Sequence, residues 1–185
     1  MDEVAKAAKE RSQKIKSALL GYAKIDIATL KLVFRRYNSR GINEEEVRKM
    51  VESLKKGMER YFSRYLIDFA LKLESLVLET LSQEEGDGGD DFNFLEWTEG
   101  KVPTEVQACS GQHRVAALLA LKAEYEAALK KLETEREAER KKFKKADGPD
   151  NSELIRELGR SILALQRKLR GLTVWGVRVY DIGEC

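Results

Sequence analysis

"QACSGQHRVAALLALKAEYEAALKK", residues 107–131, decides how this chain is read. It joins three kinds of local signal in one run. "TEVQAC", residues 104–109, reads as a strand. Ser110-Gly111 reads as a tight turn. From Gln112 onward an alanine-rich helix begins, and Leu118, Leu121, Tyr125, Ala128 and Leu132 then recur at three- and four-residue intervals. The helix continues through the charged "ETEREAERKKFKK" to about Lys145. A helix of that length spans about 50 Å at 1.5 Å per residue. "ADGPDNSE" breaks it, with Gly148-Pro149 as the turn and Asp150 with Glu153 as a new cap. A second helix carries Ile155, Leu158, Ile162, Leu165 and Leu169 at the same spacing, and Gly171 stops it. Two apolar stripes of one period, joined by a short turn, predict an antiparallel hairpin over 124–170 with a coiled-coil-like seam. Such a seam either stays solvated at its flanks or pairs with a partner or a second copy.

Upstream, residues 2–20 read as a helix rich in Ala, Lys and Glu, with Gly21 as its stop, so 1–22 forms an N-terminal helical segment. "KIDIATLKLVF" predicts one or two short strands within 24–35. Asn43 followed by Glu46 fits a capping box. Val47, Met50, Val51 and Leu54 make one apolar face, and Gly57 ends that helix. "RYLIDFALKL" alternates, which predicts a strand near the centre of a sheet. "ESLVLETL" is open between strand and helical turn. "SQEEGDGGDD" reads as a flexible acidic loop, and "FNFLEW" as a short helix or a lid over the core. "TVWGVRVYDI" reads as the last strand.

The 185 residues suit one domain with an appendage. Hydrophobic residues are 42%, enough for a core, and charged residues are 36%, an excess over an ordinary globular domain most of which the hairpin accounts for. The net charge of +2 makes no whole-chain case for nucleic acid. Two cysteines build no disulfide framework and favour a reduced, intracellular setting, cytoplasmic or nuclear. The N-terminus lacks the apolar core of a secretory signal, and no apolar run is long enough for a membrane span.

The chemistry concentrates at residues 109–114. A helix start leaves backbone N–H groups unpaired and carries partial positive charge, which suits an anion. Gly111 permits close approach of a phosphate, and Arg114 can hold two of its oxygens. His113, the lone histidine, can donate a bond or exchange a proton. Ser110 and Gln112 add neutral polar contacts. The simpler alternative is that His113 and Arg114 cap local carbonyls at a helix start. Cys109 is open between a small buried residue and a thiol activated by the helix terminus.

With those residues in view, "CSGQHRVAALLAL" resembles the G-x-H-R or G-x-R-R box of the ParB/sulfiredoxin superfamily. "IDIATLKLVFRRYNSRGINEEEVRKMVESLKKGM" is similar to the entry of ParB domains, with Val47, Met50, Ser53, Leu54 and Gly57 in comparable places. The resemblance covers roughly 24–123 and 172–182. It implies an α+β fold, a small mixed sheet with packed helices at 23–123 plus 171–185, interrupted by the helical hairpin at 124–170. It further implies a nucleotide- or phosphate-binding domain, with NTP hydrolysis or phosphoryl transfer as the associated chemistry and Mg2+ with ATP, CTP or GTP as the ligand set. Ser110, Gly111, Gln112, His113 and Arg114 would hold phosphates, His113 being the catalytic candidate. Arg36 and Arg40 in the loop before the 43–57 helix, and Ser53 on it, would face the nucleotide. Sulfiredoxin has its catalytic cysteine where this chain has Gln112, and bacterial ParB has an acid there. Sulfinic-acid reduction is therefore not expected, and metal assistance is weakened.

Several residues have two readings. Arg35, Arg36 and Arg40 are phosphate ligands or solvated loop charges. Ser53 is a site hydroxyl or a helix-surface serine. Trp97 and Trp175 read as core or edge residues, with base stacking by Trp97 as the alternative. The acidic run 84–91 lacks the spacing of a calcium loop. "ERKKFKK" is a solvated hairpin tip or a contact for an anionic surface. Three functional classes result: a nucleotide or phosphorylated-ligand binder, a non-catalytic protein that meets a partner or itself through the hairpin, and a nucleic-acid-associated factor. No helix-turn-helix module follows the box, so DNA reading of the partition-protein kind is not expected.

Overall fold

Ile67–Leu71, written β3, is buried on both faces except at Asp68, and four other strands assemble around it. The computed structural model describes residues 2–34, 41–85, 92–143 and 151–183. Those residues form an α+β fold with a five-stranded mixed sheet and four α-helices. In chain order the elements are α1 Asp2–Ser17, β1 Leu19–Asp26, β2 Leu32–Val33, α2 Glu44–Lys56, β3, β4 Val106–Ala108, α3 Gln112–Phe143, α4 Ser152–Leu169 and β5 Val174–Asp181. The sheet order is β1-β5-β3-β4-β2. β3 lies parallel to β5 and antiparallel to β4, while β1 is antiparallel to β5 and β2 parallel to β4. The central place expected for the 65–73 segment is observed.

The chain divides into two units, Met1–Ala116 with Val174–Cys185 and Ala117–Thr173. In the sheet unit, Ile25, Ile67, Phe69, Val106, Ala108, Trp175, Val177 and Val179 are buried and supply the apolar core. Asp68, Gln107, Cys109, Arg178 and Tyr180 are only half-buried. The period-two alternation of strand side chains thus divides an apolar face from a polar one.

Two local expectations are corrected, and one left open is settled. The first helix ends at Ser17, not Gly21, because Leu19–Asp26 is taken into the sheet opposite β5. Gly21 sits inside β1 at an irregularity in the pairing, with φ +147°. A Cβ there would meet the Ser82 carbonyl oxygen at 2.7 Å, so only glycine fits. "FNFLEW" is neither helix nor lid. It runs extended along the outer edge of β1, where Lys24 N–H donates to Asn93 O and Leu95 N–H to Lys24 O, both at 2.9 Å. Tyr22 and Ser82 exchange backbone bonds at 2.8 Å on the same edge. These contacts satisfy backbone groups that an edge strand would otherwise expose. Phe92 is buried, stacked on Tyr22 and edge-on to Tyr61. The open "ESLVLETL" segment resolves into two single-turn 3-10 helices, Leu73–Ser75 and Leu78–Thr80.

The hairpin unit contains the rest of α3, and α4. Contacts pair early with late residues: Asn151 Nδ2 donates to Glu139 Oε2 at 2.6 Å, and Lys168 Nζ lies 5.7 Å from the Tyr125 ring centre. The helices are therefore antiparallel. Leu118, Leu121, Leu158 and Ile162 are buried, and Tyr125, Leu132, Ile155, Leu165 and Leu169 are half-buried, so the anticipated stripe is the inward one. The N-cap of α4 is Asn151, whose side chain reaches Glu139 and makes no cap bond. Asp150, the expected cap, lies outside the described residues, as do Gly148 and Pro149. Gly171 follows the last turn with φ +69°. Among the described residues, no helix is long and apolar enough to cross a membrane.

Candidate functional site

The turn between β4 and α3 is fastened to one residue of the central strand. Cys109 N–H donates to Asp68 O at 2.7 Å, and Asp68 N–H donates to Ser110 Oγ at 3.0 Å. Both backbone groups of Asp68 are thereby consumed. Gly111 follows with φ +83°. A Cβ on it would lie 2.9 Å from Ile67 Cγ1, so this glycine is required by packing on β3 as well as by its backbone angle. The Gly111 carbonyl accepts from Val115 N–H at 2.9 Å and opens α3.

The next three side chains diverge. Gln112 Oε1 is buried with no hydrogen-bond partner among the described residues. His113 Nε2 accepts from the backbone N–H of Asn43 at 3.0 Å, and Glu46 Oε2 lies 3.7 Å from the same nitrogen. Asn43 itself caps α2: its Oδ1 accepts from Glu45 N–H at 3.0 Å and Glu46 N–H at 3.2 Å. The cap expected at Asn43 is present. Its reciprocal half is supplied by an imidazole from another element, where a capping box would use the Glu46 carboxylate.

Arg114 reaches the residues just before β3. Its Nη1 donates to Tyr65 O, with Leu66 O at 3.5 Å. Trp175 Nε1 donates to the same Tyr65 oxygen at 2.8 Å. The guanidinium carbon lies 5.5 Å from the Tyr65 ring centre and 5.8 Å from that of Trp175. Burial lowers the Arg114 pKa below the ordinary arginine value; Tyr65 and Asp68 oppose this, and Arg178 adds to it. Nε and Nη2 of Arg114 have no protein acceptor among the described residues.

A groove of about 730 Å³ opens between α2 and this arginine. Met50, Leu54, Met58, Tyr65 and Trp175 form its apolar lining; Lys49, Ser53, Lys56 and Arg114 give it polar and basic groups, and Glu46 and Glu59 give it acids. Its volume lies within the range of small-molecule sites. Of the residues singled out from sequence, Ser53 and Arg114 meet in this groove. Ser110 and His113 are spent on Asp68 and Asn43. Arg36 and Arg40 lie outside the described residues. Lys49, Lys56, Met58, Tyr65 and Trp175 were not anticipated as site residues. Lys49, Ser53 and Lys56 share one face of α2 at four- and three-residue spacing, a signal present in the sequence. Tyr65 and Trp175, 110 residues apart, carry no such signal.

A second polar cluster lies on the sheet. Arg178 Nε donates to Asp68 Oδ1 at 2.7 Å within a half-buried pair. Burial pushes the neighbouring Tyr180 hydroxyl above its ordinary pKa of 10.0; the Asp68 charge adds to this and Arg178 opposes it. Cys109 is half-buried. Among the described residues, no three His, Cys, Asp or Glu side chains converge as a metal site would require. Comparison with protein-family models, curated proteins and solved structures finds no match for this chain.

Proposed function

We propose that the chain binds a nucleotide or another phosphorylated small molecule in the groove between α2 and the start of α3. The observation that carries this reading is the meeting of Arg114 and Ser53 with Lys49 and Lys56 around one apolar-floored groove. A phosphorylated ligand needs both halves of that surface. Its phosphates take the lysine ammonium groups and the unused Nε and Nη2 donors of Arg114. Its less polar body lies against Met50, Leu54 and Met58. Partial burial strengthens the arginine–phosphate attraction, since fewer waters screen it. The resemblance to the ParB/sulfiredoxin superfamily supports the same reading from the residues 109–114.

His113 has a positioning part here. Its Nε2 holds Asn43, and with it the N-terminal end of the helix that carries Lys49, Ser53 and Lys56. Binding is therefore the activity proposed, and turnover is not. Mg2+ would arrive on the phosphates of an NTP, with Glu46 or Glu59 as the groove carboxylates able to meet it. Calorimetric titration with ATP, CTP, GTP and inorganic pyrophosphate, each with and without Mg2+, tests the proposal. Saturable heat that disappears in Lys49→Glu/Lys56→Glu is expected. Absence of binding by every one of them refutes it.

A further inference from the structure

Gly159 stands in the interior of α4, and no contact among the described residues requires glycine there. A helix-interior glycine costs about 1 kcal/mol relative to alanine. A Cβ at this position would meet only Arg136 Nη1, at 3.8 Å, an ordinary van der Waals distance, among the described residues. Alanine would therefore fit the hairpin as it stands. Gly159 lines a groove of about 460 Å³ on the hairpin, together with Arg136, Arg156, Arg160, Ile162, Leu163 and Gln166, and its missing Cβ leaves backbone bare within that groove.

The groove has a definite chemistry. Arg136, from α3, is half-buried and has no carboxylate partner among the described residues. Arg156 and Arg160, from α4, share one exposed carboxylate, Glu153, at 3.4 and 3.2 Å. The lining of the groove itself holds three arginines and no acid, with Glu153 beside Arg156 and Arg160, and with Glu133 and Glu137 near Arg136 on its other side, so the groove surface is basic. Beside them Leu163 is 56% exposed. Arginines gathered around a backbone notch suit carboxylates and a closely approaching main chain. An exposed leucine in the same groove suits an apolar side chain, which a nucleic-acid backbone would leave uncovered.

We infer that this face of the hairpin docks an acidic protein segment carrying an apolar residue. The partner's carboxylates bind Arg136, Arg156 and Arg160, its apolar side chain covers Leu163, and its backbone lies over Gly159. The surface is independent of the phosphate-ligand groove and stands if that proposal fails.

The test uses the full chain and a fluorescein-labelled peptide in which glutamates flank a single leucine, followed by anisotropy. Three variants are compared: Gly159→Ala, Arg136→Gln/Arg160→Gln, and Leu163→Ser. The wild type is expected to bind. The arginine double variant should weaken binding about tenfold or more, as loss of charged pairs at an interface does. Gly159→Ala should also weaken it, while leaving the melting temperature equal or higher, which separates a docking role from a structural one. Failure of the wild type to bind overturns the inference, as does unchanged affinity in Gly159→Ala. Preferential binding of a single-stranded oligonucleotide, lost in the same variants, also overturns it.

Discussion

The backbone N–H of Asn43 donates to Nε2 of His113 at 3.0 Å, so two helix starts 70 residues apart are joined through one imidazole nitrogen. A nitrogen that accepts cannot also carry a proton, so the neutral ring holds its hydrogen on Nδ1. Nitrogen-15 NMR of the neutral imidazole should report that tautomer. His113→Ala should cost about 1 kcal/mol in urea unfolding, and His113→Gln, which keeps an acceptor, should recover part of it. Asn43→Ala should cost about 1 kcal/mol through loss of the α2 cap.

Arg114 and Trp175 converge on the single carbonyl of Tyr65. A bond from a charged donor contributes about 1.5–3 kcal/mol. Arg114→Met should therefore destabilise the fold by about 2 kcal/mol. Arg114→Lys should recover little of it, because an ammonium cannot lie flat beside the Tyr65 and Trp175 rings. Equilibrium unfolding followed by Trp fluorescence checks both.

Gly111 is held by two constraints at once, its φ of +83° and its contact with Ile67. Gly111→Ala should cost about 2 kcal/mol or more, since strained backbone alone accounts for 1–3. Pairing it with Ile67→Ala, which removes both Cγ atoms that the new Cβ would meet, tests the contact term: the losses of the two single variants should add to more than the loss of the double variant if the missing Cβ is needed for packing.

These relationships explain what the sequence could reveal. The period-two pattern around Phe69 located the central strand, and Asn43 with its following glutamates located the start of α2. The apolar stripes from Leu118 and from Ile155 revealed the hairpin. Each signal is local, because strand and helix periods act over a few residues. Gly21 misled because a helix stop and a strand irregularity both use glycine; only β5, more than 150 residues on, distinguishes them. At the site, residues 109–114 were recognised as one constellation, and the strand–turn–helix order was legible. What Ser110, His113 and Arg114 touch was not, because Asp68, Asn43 and Tyr65 are brought by tertiary pairing that no spacing encodes.

Tyr180 gives a pH signature. Its folded-state pKa is raised above 10.0, first by burial and then by Asp68. A raised value means the native state holds the proton more tightly than the unfolded chain does. The resulting stability is present below pH 10 and is lost as pH rises through the folded-state value. Stability should therefore fall above pH 10 in the wild type and fall less in Tyr180→Phe. Urea unfolding across that range, with tyrosinate absorbance as the second readout, measures it.

The central claim is that Lys49, Ser53, Lys56 and Arg114 form one phosphate-binding groove. Amide chemical shifts during titration with ATP, CTP or GTP test it most directly. At least one nucleotide should move the amides of residues 49–57 and of Arg114 together, along one saturable curve, and Lys49→Glu/Lys56→Glu should remove that response. Unmoved amides at millimolar nucleotide, or shifts confined to residues away from α2, would contradict it.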